Sequence, residues 1–196
     1  MKTITSPSQK IDSFPDFSGR PRRINLDQIL AVKGLGKLRL RPIHLEDEQE
    51  MINFHRRISE ESIYIRYFEY LGLDRRTSHE RLTRVCTNTP ESYALVIEKP
   101  GRDSQPGVIL AVGRLTKEPH SHVATFDTLI ADEAQSHKLA KILVTRLIKF
   151  AKAFGFQTLK SELLVVDHDM INLCRALHFS VHTLPEDGLI QVALSL

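Results

Sequence analysis

The chain is expected to fold as one α/β (α+β) domain in three layers, a mixed and mostly antiparallel sheet flanked by helices. Three observations carry that expectation. The patterned segments run in the order strand, two helices, three strands, helix, strand, helix, two strands. One stretch, from Ala124 to Asp167, is a strand–loop–helix–strand unit whose two strands must lie parallel through a right-handed crossover. The 196 residues, 41% of them apolar, suffice for one well-packed core and are short for two.

Each element has a local reason. Residues 1–23 are rich in Ser, Pro, Lys and Arg without periodicity and read as a flexible N-terminal tail, which leaves 24–196 as the domain. "LRLRPI" (Leu38–Ile43) alternates apolar and basic, as a strand with one wet face does. "EDEQEMINFHRRIS" has an acidic first turn, basic residues near its end, and Met51, Phe54, His55 and Ile58 at helical spacing. "SEESIYIRYFEYLG" is aromatic-rich and fits more than one conformation. "DRRTSHERLTRVC" reads as a second helix with Leu82, Val85 and Cys86 inward. "SYALVIEK" and "VILAVGRL" flank the turn-forming "PGRDSQPG" as a long-looped hairpin. "ATFDTLIAD" is the next strand. A long helix follows from about Ser136 to Phe154, with Leu139, Leu143, Leu147, Phe150, Ala151 and Phe154 on one stripe and Gly155 ending it. "TLKSELLVVD" is a strand, "HDMINLCRALH" a short helix, and "FSVHTL" and "LIQVALSL" close the sheet. The apolar edge of "LIQVALSL" suits pairing with a second copy, a homodimer.

Composition narrows the function classes. Lys and Arg number 27 against 24 Asp and Glu, a net charge of +3, so nothing beyond the basic tail favours nucleic acid. No apolar run is long enough to span a bilayer, and the N-terminus lacks the apolar core of a signal peptide. Cys86 and Cys174 lie far apart and form no metal-type pair, which suits a reduced, cytoplasmic protein with free thiols. "HSH" (His120–His122) is read as a solvated turn and "DHD" (Asp167–Asp169) as a helix N-cap, so no metal is expected.

The chemistry is sought in "DEAQSHKLAKILVTRLIKF", where a loop feeds an apolar helix. The first amides of such a helix lack internal partners and the helix dipole adds positive charge, so a diphosphate is welcome there. The residues concerned are Gln135, Ser136, His137, Lys138, Leu139 and Ala140. Ser136 either caps the helix or contacts an anion, and Lys138 can neutralise phosphate charge. The competing reading is a capped helix with a solvated first turn. Tyr64, Tyr67, Phe68 and Tyr70 either line an acceptor pocket or pack core and rim.

The pieces "LRLRPIHLEDEQEM", "SEESIYIRYFEYLGL", "HERLTRVC", "ILAVGRL", "ADEAQSHKLAKILVTRLIKFAKAFGF" and "LCRALHF" occur in that order from about Leu38 to Phe179. As an ordered set they resemble the GNAT superfamily of acyl-CoA-dependent N-acyltransferases. More narrowly, the chain looks like the acetyltransferase domain of bacterial protein-lysine acetyltransferases.

The resemblance implies the GNAT fold, acetyl-CoA or another acyl-CoA as co-substrate, and an amine acceptor, small molecule or protein lysine. It places backbone contacts to the pantetheine at Leu129 and Ile130, and a further pantetheine contact at Asp167. The superfamily's cofactor loop, Gln/Arg-x-x-Gly-x-Gly/Ala, is matched at Gln135 and Ala140, while Lys138 stands at the first glycine. Lys138 then either swings outward to pair with a phosphate or blocks the groove with its stem; backbone donors survive if its dihedrals stay helical. The family's glutamate base falls on Thr125, which cannot act as a base at neutral pH. Asp127, two residues on and about 7 Å along the same strand face, and Glu162 on the next strand are the substitutes; for each the alternative is a solvated or salt-bridged carboxylate. The family's tyrosine acid falls on Cys174, a thiol able to protonate a leaving thiolate or simply to pack the core. His178 stands where a glycine is common. The implied function is acyl transfer to an amine by direct attack in a ternary complex. The alternative is a catalytically silent module of the same fold that binds CoA or a partner protein.

Overall fold

The computed structural model describes residues 15–19, 24–101, 106–184 and 188–196. Its centre is an eight-stranded sheet in the order β1-β2-β3-β4-β5-β6-β8-β7. The strands are β1 (Gln28–Val32), β2 (Gly36–Pro42), β3 (Ser92–Lys99), β4 (Val108–Lys117), β5 (Val123–Ile130), β6 (Thr158–Leu164), β7 (Ser180–Leu184) and β8 (Leu189–Ser195). All neighbours are antiparallel except β5 and β6, which are parallel, as the crossover requires.

Helices cover both faces. α1 (Glu48–Arg56), α2 (Glu60–Tyr67), α3 (Leu73–Arg76) and α4 (His79–Val85) belong to one layer, α5 (Leu139–Phe154) and α6 (His168–Ala176) to the other. The pleat of β3 shows why the sheet needs two cores. Tyr93, Leu95 and Ile97 join the cluster under α5, while Ala94 and Val96 join the cluster under α1 and α4. α5 buries Leu139, Leu143, Val144, Leu147, Phe150 and Ala151, and Gly155, at φ 88°, ends it. It sits close on β4 because residue 113 is glycine: a Cβ there would lie 3.2 Å from Leu147 Cδ1 and 3.3 Å from Leu143 Cδ2.

A buried ionic clip fastens β2, β3 and the start of α1. Arg41 Nη2 donates to Asp47 Oδ1 at 2.7 Å and to Glu98 Oε2 at 2.6 Å. Burial works against the Arg41 charge, but these bonds outweigh it and raise its pKa.

The structure departs from the sequence-based expectation in several places. β1 was not foreseen; its hairpin with β2 turns through Gly34 and Gly36, both at positive φ. The ambiguous aromatic stretch is α2, capped by Ser59, whose hydroxyl accepts from the Ser62 amide. The expected second helix is two, α3 and α4, broken before Ser78. The tail reading fails at Phe17: its ring is buried against Tyr93, Phe154 and Phe156, and its amide donates to the Pro90 carbonyl at 3.0 Å. The rest of that segment, residues 1–14 and 20–23, lies outside the described residues. The edge-pairing expectation for "LIQVALSL" also fails, because β8 is paired on both sides, by β6 and β7. Among the described residues no helix is long and apolar enough to cross a membrane. Cys86 and Cys174 are both free and buried.

Candidate functional site: the cleft where two parallel strands part

β5 and β6 pair only from Val123–Thr158 to Thr125–Lys160. Beyond that point β5 stays paired with β4 as far as Ile130 and β6 stays paired with β8 as far as Leu164, but the two strands no longer pair with each other. The gap is a cleft of 440 Å³ bounded by β5, β6, α2, α5 and α6. One edge of β5 is thus left without a strand partner, the arrangement in which main-chain donors and acceptors can meet an extended ligand.

Most of the expected site residues meet here. Asp127, Leu129 and Ile130 from β5, Glu162 from β6, Gln135 from the loop before α5, Ala140 from the head of α5, and Asp167 from the head of α6 all line the cleft. Asp167 caps α6, accepting from the Met170 amide at 3.1 Å. Burial raises its pKa, with that hydrogen bond opposing.

The two remaining candidates for proton transfer are elsewhere, and so is the side chain of Leu139, fully buried in the core. Thr125 lies where β5 and β6 are still paired, and its Oγ1 donates to the Thr116 carbonyl at 3.3 Å. Cys174 is fully buried in the core beneath α6, and burial pushes its thiol pKa up to about 12. The short cysteine side chain stops in the core and does not line the cleft.

The loop entering α5 also differs from expectation. Asp132–His137 is a 3-10 helix, and α5 begins at Leu139, so Lys138 and not Ser136 holds the N-cap position. Lys138 is left-handed, at φ 60° and ψ 20°, not helical. That is the region a glycine enters without cost and a lysine enters only with strain. Its side chain is exposed and lines a separate groove between α5 and the end of β1, so its stem does not fill the cleft. The first bond closing α5 is from the Ile142 amide to the Lys138 carbonyl at 3.2 Å. The amides of Leu139, Ala140 and Lys141 therefore have no acceptor within the helix. The side chains of Ser136 and His137 lie outside the description.

The 3-10 turn is pinned from the opposite layer. Asp132 accepts from the Ser59 amide and the Ser62 hydroxyl, both at 2.9 Å. Gln135 Nε2 donates to Ser62 Oγ at 3.0 Å and to Asp132 Oδ1 at 3.1 Å. Arg57 bonds Glu133 at 2.6 Å. Gln135 is thus a brace for the loop.

The two candidate bases are not equivalent. Asp127 Oδ2 is 2.6 Å from Arg66 Nη2, and Arg66 in turn lies over the Tyr67 ring at 4.9 Å. Glu162 is exposed to the cleft and has no ion pair among the described residues. Ser62, Ile65 and Arg66 are cleft residues that sequence reading missed, as are His168 and Asp169. The i, i+3, i+4 spacing of the first three along α2 was the available signal. The aromatic expectation resolves as rim: Tyr64 stacks on Tyr70 at 4.8 Å, with Tyr70 72% exposed.

The cleft's components suit a coenzyme A thioester: an unpaired strand edge, an amide-rich helix head and a gap of mixed polar and apolar lining. Comparison with known proteins agrees. The model of the acetyltransferase (GNAT) family matches residues 44–179. Among solved structures, the GNAT domain of PAT from S. lividans superposes with a TM-score of 0.73 at 21% identity, covering 87% of this chain and 97% of that one. Mycobacterium smegmatis RimJ, in complex with CoA-disulfide, gives 0.67 at 13% identity, covering 86% of each chain. The PaiA N-acetyltransferase of Thermoplasma acidophilum, in complex with coenzyme A, gives 0.63 at 15% identity, covering 81% of this chain and 99% of that one. From the parted strands, the open helix head and the family match together, the chain belongs to the acetyltransferase (GNAT) family, the acyl-CoA-dependent N-acetyltransferases.

Proposed function

We propose that this chain moves an acetyl group from acetyl-CoA to an amine by direct attack within a ternary complex. The observation that carries the reading is the joint placement of the unpaired β5 edge, the α5 amides and Glu162 around one cleft. The pantetheine would run along β5 past Leu129 and Ile130, toward Asp167, with the diphosphate at the amides of Leu139, Ala140 and Lys141.

Glu162 takes a proton from the incoming ammonium. The free amine nitrogen then bonds to the thioester carbonyl carbon, the carbon–sulfur bond breaks, the nitrogen gives up its surplus proton to solvent, and CoA leaves as a thiolate that solvent protonates. Positioning supplies much of the acceleration; the base contributes a further factor of about 10²–10⁴. Asp127, paired with Arg66, shapes the acceptor side. A protein lysine is the acceptor class favoured by the resemblance to protein-lysine acetyltransferases, and two buried free thiols accord with a reducing cytoplasm.

The displacement of Thr125 and Cys174 from the cleft favours one second reading, a silent CoA-binding module. Mixing the protein with acetyl-CoA and a panel of amines, lysine peptides included, separates the two. Thiol release that depends on the amine and falls in Glu162→Gln supports transfer. Binding of CoA with no thiol release from any amine supports the silent module.

A further inference from the structure

A second groove, of 580 Å³, runs between the end of β1 and one face of α5. Five cations line it: Lys33, Lys138, Lys141, Arg146 and Lys149. Among the described residues no carboxylate and no aromatic ring does. Its floor is apolar, from Ala31, Val32 and Ile142. Arg146 is held by a hydrogen bond to the Gln28 amide oxygen, which fixes the side chain and leaves its charge uncompensated. Lys138, Lys141 and Lys149 are in no ion pair among the described residues.

The shape of this charge selects its ligand. Lys138, Lys141 and Lys149 are strung along α5 over eleven residues, about 16 Å of helix. A single phosphate needs donors that converge, and these do not. A nucleotide or single-stranded nucleic acid needs a ring to stack on, and the described lining residues supply none. Duplex DNA is too broad to enter a groove between a strand and a helix. An extended polypeptide fits better, with carboxylates spaced along it and an apolar side chain to cover the floor. The chain's own residues 1–23 are not complementary, since Lys2, Lys10, Arg20, Arg22 and Arg23 outnumber Asp12 and Asp16.

We propose that this groove docks an acidic, partly apolar segment of a partner protein. The proposal is independent of acyl transfer in the cleft. The probe is a fluorescein-labelled peptide of glutamate blocks interrupted by leucines, followed by fluorescence anisotropy at low and physiological salt. The peptide should bind the full chain, and Lys141→Glu with Lys149→Glu should weaken it about tenfold or more. The same reversal at the exposed Lys99 and Lys152 should leave it within about twofold. Replacing the leucines with serine should weaken binding without changing its salt dependence, because the floor is then uncovered. Circular dichroism confirms that each variant is folded; the milder Lys149→Ala serves if the double reversal is not. Absence of peptide binding at low salt, equal loss in both double variants, or displacement of the peptide by oligothymidylate or ATP at matched charge would overturn the proposal.

Discussion

The head of α5 and the pair of positions Thr125 and Cys174 differ in what they could offer a ligand: the first presents backbone amides, the second side chains held outside the cleft. At the head of α5 the binding groups are backbone amides. Lys138 adopts φ 60°, a conformation that glycine enters freely, and the amides of Leu139–Lys141 head the helix behind it. His178 does the same at φ 66° before Phe179. Each such residue costs about 1–2 kcal/mol. At Thr125 and Cys174 any proton transfer would have to come from side-chain atoms, and both side chains are engaged away from the cleft. Backbone-donated binding tolerates substitution so long as the dihedrals hold; proton transfer does not, and must move to another residue.

The sharpest way to break that comparison is at the base. Glu162→Gln is expected to lower kcat for acetyl transfer about 10²–10³-fold with the KM for acetyl-CoA little changed. Asp127→Asn, which loosens the Arg66 pair, is expected to cost about tenfold or less. Steady-state kinetics of both variants checks this, and a reversed order would move the base to Asp127.

Acid should separate the two helical layers next. His55 of α1 is buried, and burial, with Arg81 and Arg76 nearby, brings its pKa down to about 4. An unfolded histidine takes its proton near pH 6.5. Between those values the unfolded state binds more protons, so stability falls as pH drops through that window and the loss is complete below about 4. The full loss is about 3 kcal/mol. Asp167, at the head of α6, runs the other way: its pKa is raised by burial, so acid relieves it. Hydrogen exchange at pH 5 against pH 7 is expected to show α1–α4 losing protection before α5 and α6. His55→Leu should flatten the decline in stability.

Smaller effects test the displaced and the retained positions. Cys174→Ala is expected to lower stability by about 1 kcal/mol in urea unfolding and to leave turnover per folded molecule within about twofold. Lys138→Gly is expected to raise stability by up to about 1 kcal/mol, relief of the left-handed strain being partly offset by the freer unfolded chain. It should change CoA affinity only about threefold or less, by calorimetry, because the amides are untouched.

How much of this was legible beforehand follows from the kind of signal. The crossover, the α5 stripe and the hairpin of β3 and β4 were readable because long periodic patterns and turn residues specify them locally. β1 was missed although Gly34 and Gly36 marked its turn, because a short half-exposed edge strand carries little periodicity. Phe17 was missed because a lone aromatic in a polar segment gains its place only from the distant Tyr93, Phe154 and Phe156. Within the cleft, Glu162, Asp127 and Asp167 were singled out by the family resemblance, and the structure shows only that all three line it. The Arg66–Asp127 pair was not, since it joins opposite ends of a sixty-residue separation across the sheet. Nor could the sequence show that Lys138 turns away from the cleft, because that depends on the sign of one backbone angle.

The central claim is that the α5 amides and the parted strands still hold a CoA diphosphate with lysine at position 138. Isothermal titration of the full chain with coenzyme A tests it most directly. One CoA per chain, with affinity retained in Lys138→Gly, is the expected result. Absence of binding heat at millimolar CoA, at two temperatures so that a vanishing enthalpy is not mistaken for no binding, would contradict it.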